Sequence, residues 1–166
     1  MLLTIYLAIV FCGAASLFLL TAVAFVQDTR MFSSAPPEAK PLLIPRDKEL
    51  FKGARTLGWS MMALSLVMIL GIGVIAIHDG FTNNYTFMQF FTRFVIIFTI
   101  YKLFDMTVFD WFLLCKWHFF QYFYPEIEEA FANRKYGFNI KSQLLKLFVI
   151  FPAASAIAAW ICTRFS

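Results

Sequence analysis

The chain has 166 residues, of which 61% are hydrophobic and 14% are charged, and its formal net charge is +4. Soluble domains are roughly half apolar and a quarter charged, so this composition excludes that class. An aromatic share of 19% also excludes a disordered chain, because disordered chains contain few aromatic residues. The class that remains is an integral membrane protein, and the length suits one domain.

Four stretches are long and apolar enough to cross a bilayer, which takes roughly 20 apolar residues in a helix. They cover about residues 2–26, 56–77, 87–120 and 144–163. The first lacks a basic segment before its apolar run and exceeds the usual length of a signal-peptide core, so we predict that it is a retained span. The sequence therefore predicts an all-α, polytopic membrane protein, with residues 1–166 forming one bundle of four transmembrane helices.

The basic residues predict the orientation of these spans. Ten of the 14 lie in or beside loops 27–55 and 121–143, whereas residues 78–86 contain none. Loops rich in lysine and arginine stay cytoplasmic, which places both termini on the non-cytoplasmic side. No basic stripe or nucleic-acid-binding motif is present, so we interpret the positive charge as a topology signal and expect the bilayer, not nucleic acid, as the partner.

The loop between spans three and four carries signals for a short amphipathic helix at the interface. Pro125 is followed by the acidic residues Glu126, Glu128 and Glu129, then by two basic residues and Gly137. Proline and acids suit the start of a helix, while bases and glycine suit its end. The aromatic run 117–124 that precedes it is typical of a segment at the membrane surface.

The third span contains charges at its centre. Lys102 and Asp105 are three residues apart, close enough around a helix to pair, and Asp110 follows. A charge at the bilayer centre costs about 2.5–3.5 kcal/mol even on the most lenient scale, so these side chains must face protein, water or one another. We predict that Lys102, Asp105 and Asp110 form a ligand- or ion-binding site. The alternative is a structural ion pair that fixes the register of neighbouring helices.

Two other basic residues are expected at the membrane boundaries. Arg93 lies near the outer end of span three, and Lys146 near the cytoplasmic start of span four. Long basic side chains reach headgroups from such positions, so neither is expected to join the central site.

A second, weaker candidate site combines His118, Glu126 and Glu129, because imidazole and carboxylate groups bind several divalent metals. The spacing crosses Pro125 and matches no metalloprotease signature, so no metal is predicted. The three cysteines form no CxxC pair, which gives no support for zinc binding or thiol exchange. No cofactor is indicated.

The favoured functional hypothesis is a membrane-embedded binding or transport component that acts through Lys102 and Asp105. The alternative is an accessory or structural subunit of a larger membrane complex. A lipid-active enzyme that uses His118, Glu126 and Glu129 at the cytoplasmic interface is a third hypothesis. Because four helices scarcely enclose a solute path, a second copy or a partner subunit is expected.

Overall fold

The computed structural model describes residues 1–32, 39–131 and 140–165, and these ranges contain helices and no strands. Four helices are long, and two short ones follow the third. They are α1 (Leu2–Val26), α2 (Ala54–Thr82), α3 (Phe87–Lys116), α4 (Phe119–Phe123), α5 (Glu128–Phe131) and α6 (Ile140–Phe165). The prediction of an all-helical chain with four helices long and apolar enough to cross a membrane is confirmed.

Local signals explain where α2 and α3 begin. Gly53 precedes α2 with φ of 88°, a left-handed conformation that glycine adopts without strain, and its N–H donates to Glu49 Oε2 at 2.7 Å. α3 begins with a capping box, in which Gln89 Oε1 accepts a hydrogen bond from the Thr86 N–H at 2.8 Å.

α3 ends at Lys116, four residues before the predicted end of the third span. His118 adopts a left-handed conformation with φ of 50°, which a continuous right-handed helix does not permit. The helix therefore ends before His118, and a new helix, α4, begins at Phe119. The predicted interfacial helix starts as a 3-10 turn at Pro125–Ile127 and continues as α5, and its remaining residues, 132–139, lie outside the described ranges.

The long helices pack in a definite order. α1 packs against both α2 and α3, and α3 packs against α6, whereas within the described residues α2 and α6 do not pack closely against each other. Ser155 and Ala159 of α6 are completely buried, and Ala159 belongs to a cluster with Phe94 and Ile97 of α3. Small residues at this spacing allow two helices to approach closely.

The short helices cover one end of this arrangement. Tyr124, Ile127 and Phe131 are buried in an apolar cluster with Val23 of α1 and Leu114 of α3. α4 also packs directly against residues 22–26 of α1. The aromatic segment thus contributes Phe120 and Tyr124 to the core, whereas Trp117 and Tyr122 are 66% and 81% exposed.

Three of the long helices widen locally to an i→i+5 hydrogen-bond pattern, the π-helix. The wide stretches are Ala22–Val26 in α1, Asp105–Lys116 in α3 and Lys146–Ile150 in α6. Such turns are rare, and they occur frequently at functional sites.

Candidate functional site

Lys102 and Asp105 form an ion pair in the middle of α3. Lys102 Nζ donates a hydrogen bond to Asp105 Oδ2, and the two side chains are only 4% and 18% exposed. The pairing that the three-residue spacing suggested is therefore present. Removing two charges from water is expensive unless they satisfy each other, and this contact provides that compensation.

Asp110 is held by a different helix. Gln143 of α6 donates from Nε2 to Asp110 Oδ2 at 2.6 Å, and Asp110 is 5% exposed. Gln143 is not among the residues that the sequence predicts for this site. Its signal was weak, a single amide side chain near the start of the fourth apolar stretch.

The π stretch of α3 explains why three polar residues share one face. At about 100° per residue, an α-helix would turn Asp110 roughly 140° away from Asp105. An i→i+5 turn accommodates one more residue than an α turn, which reduces this angle to about 40°. By the same reasoning Asp110 comes within about 20° of Lys102.

The π stretch of α6 has the same effect on Gln143. With regular α-helical geometry, Gln143 would lie about 120° around the helix from Ser155, which is on the face toward α3. One extra residue in the turn Lys146–Ile150 reduces that angle to about 20°. Gln143 therefore points toward α3, where it binds Asp110.

These side chains border one cavity of about 550 Å³ between the four long helices. Six polar residues line it: Tyr101, Lys102, Asp105, Asp110, Gln143 and Lys146. The remaining lining is apolar and includes Phe18 of α1, Ile69 of α2 and Phe151 of α6. Cavities of this size with apolar walls and a few convergent polar groups are typical of small-molecule binding sites.

All three π stretches contribute to the wall of this cavity. Val23 comes from the stretch in α1, Phe109 and Asp110 from α3, and Lys146 and Ile150 from α6. Lys146 was expected only at the membrane boundary, and the structure instead brings it into the lining of the central site. The rare helical geometry is thus concentrated around one cavity.

Arg93 does not reach outward to headgroups as expected. Its side chain is 2% exposed and donates from Nη2 to Asp79 Oδ2 at 2.6 Å and to the Tyr85 hydroxyl at 2.6 Å. Nη1 donates to the Ala76 carbonyl oxygen at 2.8 Å. Because α2 continues to Thr82 beyond its expected end, Asp79 lies within reach, and the group joins α2 to α3.

The residues of the weaker candidate site are not brought together. Glu126 binds residues of the first loop: Oε1 accepts from the Ile44 N–H at 3.0 Å, and Oε2 accepts from Arg46 Nη2 at 2.6 Å. His118 and Glu129 are exposed. Within the described ranges no three His, Cys, Asp or Glu side chains are arranged to hold a metal ion.

The contact of Glu126 with Arg46 ties the first loop to the segment after α3. Arg46 also donates to the Phe123 carbonyl oxygen at 3.1 Å, and its guanidinium lies 5.4 Å from the centre of the Tyr124 ring. Burial raises the pKa of Tyr124 to about 12, so its phenol stays neutral. We call Ile44, Arg46, Phe123, Tyr124 and Glu126 the loop clamp.

No family model, curated protein or solved structure matches this chain.

Proposed function

We propose that this chain is a bundle of four transmembrane helices that binds a small amphipathic molecule in the cavity beside Lys102, Asp105 and Asp110. The observation that carries the proposal is the convergence of six polar side chains from α3 and α6 on one apolar-walled cavity. Ionisable residues inside a membrane are costly, and they usually mark a binding site or a pathway.

The position of the ion pair supports binding over a purely structural role. Lys102 and Asp105 satisfy each other, but both also border the cavity, together with Asp110. A pair that served only to hold two helices together would be expected to bridge them, whereas these partners lie on the same helix. An occupant of the cavity can therefore contact both charges without unfolding the bundle.

The proposed orientation has both termini on the non-cytoplasmic side. It rests on the basic loop 27–55 and on the absence of basic residues from 78–86. In intact cells, a membrane-impermeant maleimide should label Thr82→Cys and should not label Lys48→Cys in a chain whose native cysteines are replaced. Both positions are exposed, so labelling reports their side of the membrane. The reverse pattern would contradict this orientation.

Transport would need more than one four-helix chain. The face of α6 that includes Ile157, Trp160 and Ile161 is apolar and exposed, which suits contact with lipid or with a second subunit. We propose that a transport role requires a homo-oligomer or a partner membrane subunit, because four helices enclose little space for a solute path.

Binding can be tested with three tritiated probes that share a twelve-carbon chain: dodecanol, dodecanoate and dodecyltrimethylammonium. The protein is reconstituted in nanodiscs of dioleoylphosphatidylcholine, and empty nanodiscs give the partitioning background. We expect saturable binding of at least one probe. Asp105→Asn should abolish it but should leave the folded protein intact, because the asparagine side-chain oxygen, unlike a leucine side chain, can still accept a hydrogen bond from Lys102. Asp47→Asn, which changes an exposed carboxylate far along the chain, should not change binding.

A cavity-filling variant provides the matched control. Ala15 lines the cavity, so Ala15→Phe should eliminate binding, whereas Ala63→Phe on an exposed face of α2 should leave it unchanged. If every probe binds Ala15→Phe as well as the wild type, the cavity is not a binding site.

An accessory or structural role is the alternative. The observation that favours it is that Asp105 and Asp110 already have protein partners, Lys102 and Gln143. In that case the polar residues would stabilise the packing of α3 with α6, and none of the three probes would bind saturably.

A further inference from the structure

The charges around the cavity balance. Lys102 and Lys146 are basic, and Asp105 and Asp110 are acidic, so the formal charge of the lining is zero. Transferring an additional charge into such a low-dielectric site is costly unless a partner for it is provided. The preferred occupant is therefore neutral.

Two residues of this lining have hydrogen-bonding capacity left within the described ranges. Gln143 uses its Nε2 group on Asp110, which leaves Gln143 Oε1 buried without a hydrogen bond. Lys146 borders the same cavity; its charge interacts with Asp110, but within the described ranges its ammonium group forms no direct ion pair. An ammonium group can only donate, and a carbonyl oxygen can only accept. The lining thus offers one acceptor and one donor.

A hydroxyl group complements both. Its hydrogen can be donated to Gln143 Oε1, its oxygen can accept from Lys146 Nζ, and it adds no charge. A carboxylate would accept from Lys146 but would leave Gln143 Oε1 without a donor and would lie near Asp105 and Asp110. A trimethylammonium group carries no N–H at all.

The apolar walls of the cavity and the space between α2 and α6 indicate where the hydrocarbon chain of the ligand lies. Leu66 of α2 and Ile150 of α6 line the cavity and are 49% and 47% exposed, on two helices that do not pack closely together within the described ranges. A hydrocarbon chain entering between α2 and α6 would contact the aromatic side chains of Phe11 and Phe18.

We propose that the cavity binds the hydroxyl head of a neutral, single-chain lipid alcohol, which enters from the bilayer between α2 and α6. This inference rests on the proposed function and adds the class of ligand. Gln143 and Lys146 bind the head group, and the apolar walls bind the chain.

The test compares dodecanol with dodecyl methyl ether in the same nanodiscs. The ether keeps the acceptor oxygen for Lys146, but a methyl group replaces the hydrogen that dodecanol donates to Gln143 Oε1. We expect the wild type to bind the ether about tenfold more weakly than the alcohol, the effect of one buried hydrogen bond. In Gln143→Leu the difference between the two probes should disappear, whereas Lys146→Met should weaken both to a similar extent.

Each outcome has a distinct meaning. Equal binding of the ether and the alcohol by the wild type would overturn the hydroxyl assignment, as would tighter binding of dodecanoate or dodecyltrimethylammonium. That comparison needs no variant, so it stands even where Gln143→Leu does not fold. If no probe binds above the level of Ala15→Phe, the proposed binding function itself fails.

Discussion

Arg93 of α3 donates a hydrogen bond from Nη2 to Asp79 Oδ2 of α2 over 2.6 Å. The arginine side chain is 2% exposed, whereas the aspartate side chain is 30% exposed. The cost of burying the Arg93 guanidinium is therefore offset by its protein partners. The partly exposed carboxylate of Asp79 needs such partners less.

This asymmetry predicts unequal effects of removing the two partners. Asp79→Ala leaves a buried guanidinium without its counter-charge, and we expect a loss of about 3 kcal/mol or more in unfolding free energy. Arg93→Met should cost less, because the remaining carboxylate is partly exposed. Reversible unfolding in mixed micelles measures both, with Asp47→Ala as the control for loss of an exposed carboxylate. A greater loss in Arg93→Met would mean that packing of the long side chain outweighs the ion pair.

The ion pair within α3 predicts a non-additive double variant. Lys102→Met and Asp105→Leu each leave one buried charge unpaired, and each should destabilise the protein by about 3–5 kcal/mol. The double variant removes both charges, so we expect it to fold nearly as well as the wild type. Thermal unfolding and size-exclusion chromatography in detergent measure this. Single variants as stable as the wild type would show that the pair makes no net contribution to folding.

Glu126 predicts a loss of stability in acid. Burial alone would raise its pKa, but hydrogen bonds from the Ile44 N–H and Arg46 outweigh burial and lower the pKa below its ordinary value. A folded-state pKa below the unfolded one contributes stability above the unfolded pKa, and this contribution is lost as the pH falls through the folded pKa. The loop clamp should therefore weaken below about pH 4.3, the ordinary pKa of glutamate.

Glu126→Gln separates this effect from general acid denaturation. The variant should unfold at a lower temperature than the wild type at neutral pH, and the difference should shrink as the pH falls below the range in which Glu126 is ionised. Glu128→Gln replaces an exposed carboxyl next to the same turn and should match the wild type throughout. If the difference in unfolding temperature between the wild type and Glu126→Gln stays constant from neutral pH into acid, this role for the carboxylate is excluded.

Two glycines of α2 predict opposite effects of alanine. A Cβ atom at Gly80 would overlap the ring of Phe90, whereas one at Gly71 would meet no atom within 4 Å. We expect Gly80→Ala to destabilise the protein by about 1–3 kcal/mol through overpacking. Gly71→Ala should be neutral or stabilising by up to about 1 kcal/mol, because alanine favours the helix. Unfolding midpoints in one detergent compare the two, and equal midpoints would argue against close packing at Gly80.

The sequence was most informative where hydropathy and short spacing decide the structure. The four long helices follow from their apolar composition, and the contact between Lys102 and Asp105 follows from the i,i+3 spacing. The bond between Gln143 and Asp110 could not be predicted in this way, because it depends on wide turns in two helices. No periodicity calculation at 100° per residue allows for such turns.

The environment of Arg93 was missed for a different reason. Its partner Asp79 lies beyond residue 77, the approximate end of the second predicted span, whereas α2 continues to Thr82. Hydropathy favours ending a helix at the first charged residues, but a charge that is paired within the protein can lie inside it.

The wide turn at Lys146–Ile150 has a consequence for how this site can change by insertion or deletion. Because the turn holds one residue more than a regular turn, deleting a single residue there would restore α-helical geometry and keep Gln143 and Ser155 on the same face of α6. The packing of α6 against α3 would be kept, and only the residues that line the cavity around Lys146 would change position. Single-residue length changes at this turn therefore offer the chain a way to alter the lining of the cavity while keeping its fold.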